Sequence, residues 1–307
     1  MVKGEKEGSR TRKLTRGQKK QVSKKEAQKH GRLPGSFRLT WRVFGTTRTY
    51  WKPLGGIVLV YLILNIIFAS GISSLSSTVN NIKANLEASG GRDFSEALSG
   101  FGSLVGSAGA GGSQTASILQ SILIILESLV IIWALRQLLA GNKVGVKQAY
   151  YQSMTPLIPF LLVIAVIFIQ LLPLSLGAPI FGEILSAIFS AGGLLSVLFV
   201  LVLGALAAWS FYMISSSIFA LYIVTLPDMQ PRQALRSAKN LVRYRRWPLM
   251  RKVAFLPLFI LLVMAVVVVP LILFVSFLVA PAFYLLSMLA ILFVHAYLYS
   301  LYRSLLE

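Results

Sequence analysis

Long apolar runs alternate with short polar segments along the chain. The runs cover residues 54–73, 117–140, 157–176, 194–226, 255–280 and 282–305. Each is about as long as the ~20 residues that an α-helix needs to cross a hydrocarbon core of ~30 Å. The pattern predicts an all-α fold, a polytopic transmembrane helix bundle of about six spans, in which residues 36–307 form one membrane domain.

Two of the runs have unusual lengths or junctions. As one helix rising about 1.5 Å per residue, the fourth run would be ~50 Å long, so it must tilt or project beyond the membrane surface. The last two runs meet at Ala280 and Pro281, which predicts a very tight connection. Prolines at 173, 257 and 270 are expected to kink their helices or lie near helix ends.

The polar segment after the first run has a weaker helical pattern. Between residues 74 and 99 it predicts one or two short amphipathic helices at the outer surface. Their apolar face would carry Leu75, Val79, Ile82 and Leu86. The stretch that follows, GFGSLVGSAGAGGSQ, is rich in glycine and serine and predicts a flexible linker.

Composition and charge support this class and add an orientation. Hydrophobic residues make up 56% of the chain and charged residues 13%, against roughly 25% charged in soluble domains. Of thirty Lys and Arg, sixteen lie in residues 1–53, whereas segments 74–116 and 177–193 hold only Lys83 and Arg92. Because positive charge favours the cytoplasmic side, we expect a multi-pass protein of the plasma (inner) membrane with both termini in the cytoplasm. Residues 1–35 are expected to form a disordered basic cytoplasmic tail.

The densest internal cluster of charge is QPRQALRSAKNLVRYRRWPLMRK, residues 230–252, with eight Lys and Arg and no acid. Its cations recur at spacings of four and three, which places them on one stripe of an α-helix with Trp247 at its end. The stripe consists of Arg232, Arg236, Lys239, Arg243 and Arg246. It either only fixes the topology, or also binds anionic lipid headgroups or a protein partner. Nucleic-acid binding is not favoured, because no reader fold surrounds the stripe.

The layout of this segment occurs three times. A proline followed by leucine begins an apolar run at Pro53, Pro156 and Pro248, and a polar helix candidate precedes each proline. The pattern predicts three units in which a short helix at the membrane surface turns at a proline and continues as a span.

The stretches QPRQALRSAKNLVRYRRWPLMRK and GVKQAYYQSMTPLIPFLLVIAV resemble the cytoplasmic-helix signatures of bacterial six-helix membrane proteins of the YciC-like and DUF975-like group. They are also similar to the membrane domain of some glycerophosphodiester phosphodiesterases. The resemblance covers residues 36–305. It implies six helices and brings no catalytic residue, since the membrane portion of these families has none established. The soluble phosphodiesterase barrel has no counterpart in this sequence.

A carboxylate and an imidazole lie inside apolar runs, away from the ends of those runs. Glu127 is near the centre of the second run, where a carboxylate is a functional candidate by default. Its alternative is a hydrogen-bonded tie between helices, for example to Ser215, Ser216 or Ser217. His295, in the last run, is either a packed residue or a ligand. With no cysteine and two histidines, no metal site or cofactor is expected.

Three functional classes follow. The preferred one is a non-enzymatic membrane protein that organises or binds anionic lipid or partner proteins at the cytoplasmic face. The second is a transporter or permease subunit whose basic loop, residues 227–252, docks a cytoplasmic partner. The third, an intramembrane enzyme, has no P-loop, nucleophile elbow, zinc motif or paired carboxylates to support it, so no catalytic residue is assigned.

Overall fold

The computed structural model describes residues 34–69, 71–88, 93–107, 114–189, 194–243 and 245–306. Within these ranges the protein is all α, with no strand. Its helices are α1 Ser36–Thr49, α2 Trp51–Ala69, α3 Gly71–Ala88, α4 Phe94–Ser107, α5 Gln114–Leu139, α6 Val146–Ser153, α7 Leu157–Phe189, α8 Leu194–Ser217, α9 Ala220–Val224, α10 Pro231–Val242, α11 Arg246–Phe274 and α12 Val279–Leu306, with a 3-10 turn at Ser276–Leu278.

Among the described residues, five stretches are long and apolar enough to cross a membrane. They are Trp51–Phe68, Gln114–Leu139, Gly204–Val224, Arg246–Phe274 and Ser276–Leu306. A sixth arises if α6 and the first part of α7, which are bent by 71° at their junction, are counted as one span. The predicted multi-pass membrane bundle is confirmed, with five or six spans.

Helices α5 and α12 form the centre of the bundle. Nine consecutive residues of α5, Glu127–Leu135, are buried on every side of the helix, which is typical of a helix enclosed by others. Helix α12 packs against α1, α2, α3, α5 and α11. Large apolar side chains of α2, α7 and α11 point away from this core, as expected of surfaces that face lipid.

The first, third and fourth predicted runs differ from the helices that form. The third, predicted at 157–176, is α7, which continues to Phe189. The first span, predicted at 54–73, is α2, which ends at Ala69, and residues 71–73 already belong to α3. The fourth run, 194–226, consists of α8 and α9, which are separated by a turn at residues 218–219, and its stretch Gly204–Val224 is long enough to form one span. Before this turn, the hydroxyls of Ser215 and Ser216 bond backbone carbonyls three residues earlier. The same kind of bond occurs at Ser175 and Ser287, inside helices that continue, so it does not by itself explain the break.

The junction of the last two spans lies earlier than predicted. Helix α11 ends at Val275, whose backbone leaves the helical region with φ −144° and ψ 66°, and Pro281 lies in the first turn of α12. Proline is tolerated there because the first turn leaves its N–H groups unpaired. Pro257 and Pro270 lie inside α11, and Pro173 inside α7, which both continue through them as helices.

Helices α3 and α4 confirm that residues 74–99 form two helices with the predicted apolar face, and α4 corrects the prediction for the glycine-rich stretch. Leu75, Val79, Ile82 and Leu86 are all buried along one face of α3. The predicted linker is helical up to Ser107, because Gly100 is a contact residue: a Cβ there would lie 2.6 Å from Ile82 Cγ2. Glycine lets the two helices approach closely. Residues 108–113 and most of the basic tail, 1–33, lie outside the described residues.

Candidate functional sites: three leading helices and a buried polar seam

Three short helices, α1, α6 and α10, each come directly before a long apolar helix. We call them the leading helices. They begin after Gly35, Gly145 and Gln230, which have ψ of 151°, 146° and 146° and make no side-chain cap. Each of these start residues accepts a hydrogen bond from the amide four residues later. The three predicted repeats are therefore built alike.

The leading helices also bury equivalent positions. Four residues after each start lie Leu39, Ala149 and Ala234, and eight residues after lie Val43, Ser153 and Ala238, all fully buried. Pro53 and Pro248 follow their start residues by eighteen positions, whereas Pro156 follows by eleven. The second unit thus reaches its proline about two turns sooner than the first and third, but α6 presents the same face to the core.

The predicted basic stripe lies mainly on α10. Ala234, Ala238 and Val242 face the core, whereas Arg232, Arg236 and Lys239 are exposed on the opposite side. Arg243 follows the helix and is also exposed. The spacing rule therefore gave the correct face for these four cations.

The last predicted member of the stripe, Arg246, lies elsewhere. It begins α11, its Nη1 donates to the Tyr212 hydroxyl, and its guanidinium lies 4.8 Å from the centre of the Tyr212 ring. A tether to α8 was not predicted, because the contact joins residues 34 positions apart. The neighbouring Trp247 is 70% exposed and remains a candidate for contact with lipid.

Arg136, at the end of α5, is a structural cation that the sequence analysis missed. Its guanidinium donates to the carbonyl of Thr225 at 2.5 Å, to the carbonyl of Tyr222 at 3.0 Å, and to the Thr225 hydroxyl. These carbonyls lie at the C-terminal end of α9, where a cation is favourable. Arg136 thus fixes the turn from which the chain continues to α10.

Lys252 has a comparable role for α1. Its side chain is 7% exposed, and its Nζ donates to the carbonyl of Pro34, two residues before α1 begins. The Tyr297 hydroxyl donates to the Lys252 carbonyl at 3.4 Å. One of the eight cations in residues 230–252 is therefore withdrawn from the surface to hold the start of the first leading helix.

Glu127 joins the second leading helix to the centre of the bundle. The Tyr150 hydroxyl of α6 donates to Glu127 Oε2 at 2.8 Å and lies 3.2 Å from the carbonyl oxygen of Ile57. The partner of Glu127 is therefore Tyr150, and the serines at 215 and 216 bond their own helix instead.

The polar contacts continue from Glu127 along α2. Tyr61 lies next to both Glu127 and Asn65, and the Tyr284 hydroxyl of α12 donates to Asn65 Oδ1 at 2.6 Å. Together Tyr150, Glu127, Tyr61, Asn65 and Tyr284 form what we call the polar seam. Within the described part of the chain, Glu127 Oε1 and Asn65 Nδ2 have no hydrogen-bond partner. Both residues are almost fully buried, so the seam ties four helices together and keeps two polar atoms unpaired.

His295 is part of an aromatic cluster. Its Nδ1 lies 3.2 Å from the Tyr222 hydroxyl, and the Tyr222 ring packs against those of Tyr299 and Tyr302. The described residues contain no group of three potential metal ligands. The packed interpretation of His295 agrees with these contacts.

No protein-family model, curated protein or solved structure matches the chain. The resemblance to the YciC-like and DUF975-like group therefore remains a prediction based on two stretches of sequence.

Proposed function

We propose that the chain is a non-enzymatic protein of a bacterial plasma membrane that binds anionic lipid headgroups at the cytoplasmic face. The observation that carries this is α10. One side of this helix packs into the bundle through Ala234, Ala238 and Val242, and its other side presents Arg232, Arg236 and Lys239. A fixed helix with exposed cations at the level where a span begins matches the charge of anionic headgroups.

The orientation is part of the proposal. Sixteen Lys and Arg precede the first span and eight lie in residues 230–252, so the positive-inside rule supports cytoplasmic positions for both segments. Helix α10 then faces the leaflet that is richest in anionic lipid, and a lipid-organising role follows from its position.

The test compares phospholipid retention after extraction from vesicles of equimolar phosphatidylglycerol and phosphatidylcholine. Near the surface each cation contributes about 1 kcal/mol, so replacing Arg232, Arg236 and Lys239 with Gln should reduce the preference for phosphatidylglycerol on the order of 100-fold. The control replaces Lys143, Lys147 and Arg303 with Gln, which removes the same net charge from exposed sites elsewhere. If both variants lose the preference for phosphatidylglycerol equally, the cations of α10 act only in setting the topology.

The polar seam supports a second candidate, a transporter or permease subunit. Glu127 Oε1 and Asn65 Nδ2 lie unpaired inside the bundle, and polar groups at such depth are typical of ion or substrate pathways. In this proposal, loop 227–252 docks a cytoplasmic partner protein. Copurification of a soluble ATPase from gently solubilised membranes, lost in the Arg232, Arg236 and Lys239 variant, would favour it over lipid binding.

A further inference from the structure

A groove between α1, α11 and α12 lies outside the sites described above. Its volume is about 440 Å³, within the range of roughly 300–1,000 Å³ for small-molecule sites. Apart from Thr40 and Thr47 its lining is apolar, and it includes Trp41, Phe44, Trp51, Val263, Phe293 and Ala290.

Helix α1 covers the groove and is held against α11 and α12 by aromatic contacts. Phe37 of α1 packs edge-to-face on Phe255 of α11, with ring centres 5.3 Å apart. Phe255 stacks on Phe259, and Phe259 stacks on Phe293 of α12. Together with the bond from Lys252 to the Pro34 carbonyl, this row of rings holds α1 across the two spans. The groove is therefore a fixed feature of the fold.

The position of the groove determines what can fill it. Its two long walls, α11 and α12, are membrane spans, and the exposed side of Val263, at 41%, faces where lipid tails lie. The most abundant apolar molecules beside a membrane span are the acyl chains of lipids. An acyl chain that lies in the groove would make van der Waals contacts with the apolar lining along the length of the chain.

Charge at the edge of the groove indicates the headgroup. Residues 34–53 contain Arg38, Arg42, Arg48 and Lys52 and no acid, and all four cations are exposed. Arg48 follows Phe44 by one helical turn and so lies on the flank of the groove. Tryptophans at 41 and 51 are of the kind that occupies the boundary between headgroups and tails.

We propose that this groove binds one acyl chain of an anionic phospholipid, whose headgroup contacts the cations of α1. The headgroup preference rests on the proposed function, but chain binding does not. This site differs from the basic stripe of α10, because at α1 the positive charge lies beside an apolar groove.

The experiment measures phospholipid retained per chain by native mass spectrometry. The full-length protein is reconstituted in equimolar phosphatidylglycerol and phosphatidylcholine vesicles and then extracted in detergent. Val263→Phe fills the groove, and we expect at least a tenfold loss of the retained lipid. Val266→Phe is the matched control, because Val266 is exposed on the same helix but does not line the groove. It should retain the lipid.

A second pair of variants keeps the test decisive if Val263→Phe does not fold. Ala290→Phe fills the groove from α12, whereas Ala208→Phe makes the same change at an exposed position of α8 outside it. Tryptophan fluorescence gives an independent measurement in a variant whose other tryptophans are replaced, so that only Trp41 and Trp51 remain. Lipids with brominated chains should quench its fluorescence strongly, and Val263→Phe should relieve most of the quenching.

The outcomes separate the two proposals. If the groove-filling and control variants retain equal amounts of lipid and show equal quenching, the proposal that the groove binds an acyl chain is wrong. A single retained lipid that is as often phosphatidylcholine as phosphatidylglycerol would support the groove and overturn the headgroup preference. If Val263→Phe converts a dimer to a monomer without loss of lipid, the groove is a contact between two copies, and the acyl-chain proposal is wrong.

Discussion

Helices α1 and α10 occupy equivalent places in two repeats but present different surfaces. Both bury a stripe at four-residue spacing, and both begin eighteen residues before a proline. The exposed side of α1 carries Phe37, Trp41 and Phe44 along with its cations, whereas α10 exposes Arg232, Arg236 and Lys239 and no aromatic side chain. The core-facing stripe thus fixes the position of a leading helix, and its outer face is free to differ, aromatic and basic in α1 and basic without aromatic side chains in α10.

The comparison requires that both helices lie on one side of the membrane. Cysteines at Gly45 of α1 and Ser237 of α10, introduced singly, should both be shielded from an impermeant thiol reagent in intact cells. Both positions are exposed, and the chain has no native cysteine. A cysteine at Ser103 of α4 should be labelled. This is the largest expected effect, because labelling is all or none, and opposite results at Gly45 and Ser237 would end the comparison.

A second experiment examines what holds the α10 unit in place. Arg136→Met removes the guanidinium from the end of α9 and leaves its carbonyls without a donor. We expect a loss of about 1.5–3 kcal/mol in the free energy of unfolding, the range for hydrogen bonds to charged groups. Thermal unfolding in detergent measures it.

Arg303→Met is the control for that experiment, since it removes an exposed cation from the last turn of α12. Its effect should stay within about 0.5 kcal/mol, as at other exposed sites. If both variants unfold at the wild-type temperature, the contacts of Arg136 do not stabilise the turn before α10.

The shorter leading helix, α6, extends the comparison to the polar seam. If Tyr150 and Glu127 only tie α6 to the bundle, Glu127→Gln should be tolerated, because the amide oxygen still accepts from the Tyr150 hydroxyl. Glu127→Leu and Tyr150→Phe should each lower stability by about 1 kcal/mol, typical of interhelical hydrogen bonds in membranes. A Gln variant that folds normally but loses activity or partner binding in cells would instead show that the carboxyl has a function.

The smallest expected effect concerns how helices begin. The leading helices have no side-chain cap, whereas α4 is capped by Asp93, whose Oδ1 accepts from the amide and hydroxyl of Ser95 at 2.9 Å. These bonds hold the pKa of Asp93 below its ordinary value of 3.8. Because the folded pKa is lowered, the cap stabilises α4 fully above that ordinary value and is lost as pH falls through the folded pKa.

Amide hydrogen exchange at the first turn of α4 measures this loss. After correction for intrinsic rates, protection should fall on strong acidification in the wild-type protein and be low at every pH in Asp93→Ala. The first turns of α1 and α10 should show no such step. A parallel loss of protection in all three helices would mean that acid unfolds the bundle as a whole.

Periodicity predicted most of the fold because one face of each helix must be buried. The buried face of α3 and the four cations beside α10 followed from spacing alone. The division between α8 and α9 was missed, because it lies in an apolar run with no proline or glycine at the break. Gly100 was assigned to a linker, since its contact with Ile82 joins two separate helices.

The candidate sites were less accessible to sequence reasoning. Glu127 was found because a carboxyl in an apolar run is conspicuous, but its partner Tyr150 lies on another helix at a position where tyrosine is ordinary. Arg136 was not singled out and Lys252 was counted only as one cation of the basic cluster, because the backbone partners that reveal their roles lie far away in the sequence. The groove under α1 has no sequence signature, because it forms where three apolar surfaces meet.

The length of α6 has a genetic consequence. A leading helix keeps its buried face only if residues are gained or lost in a number that nearly completes whole turns, and seven residues change the facing direction by only about 20°. The proline of the second unit comes seven positions sooner than those of the first and third. The fold should therefore tolerate deletions or duplications of seven codons in α1 or α10 far better than those of two or five codons. A change of two or five residues would turn the cations toward the core.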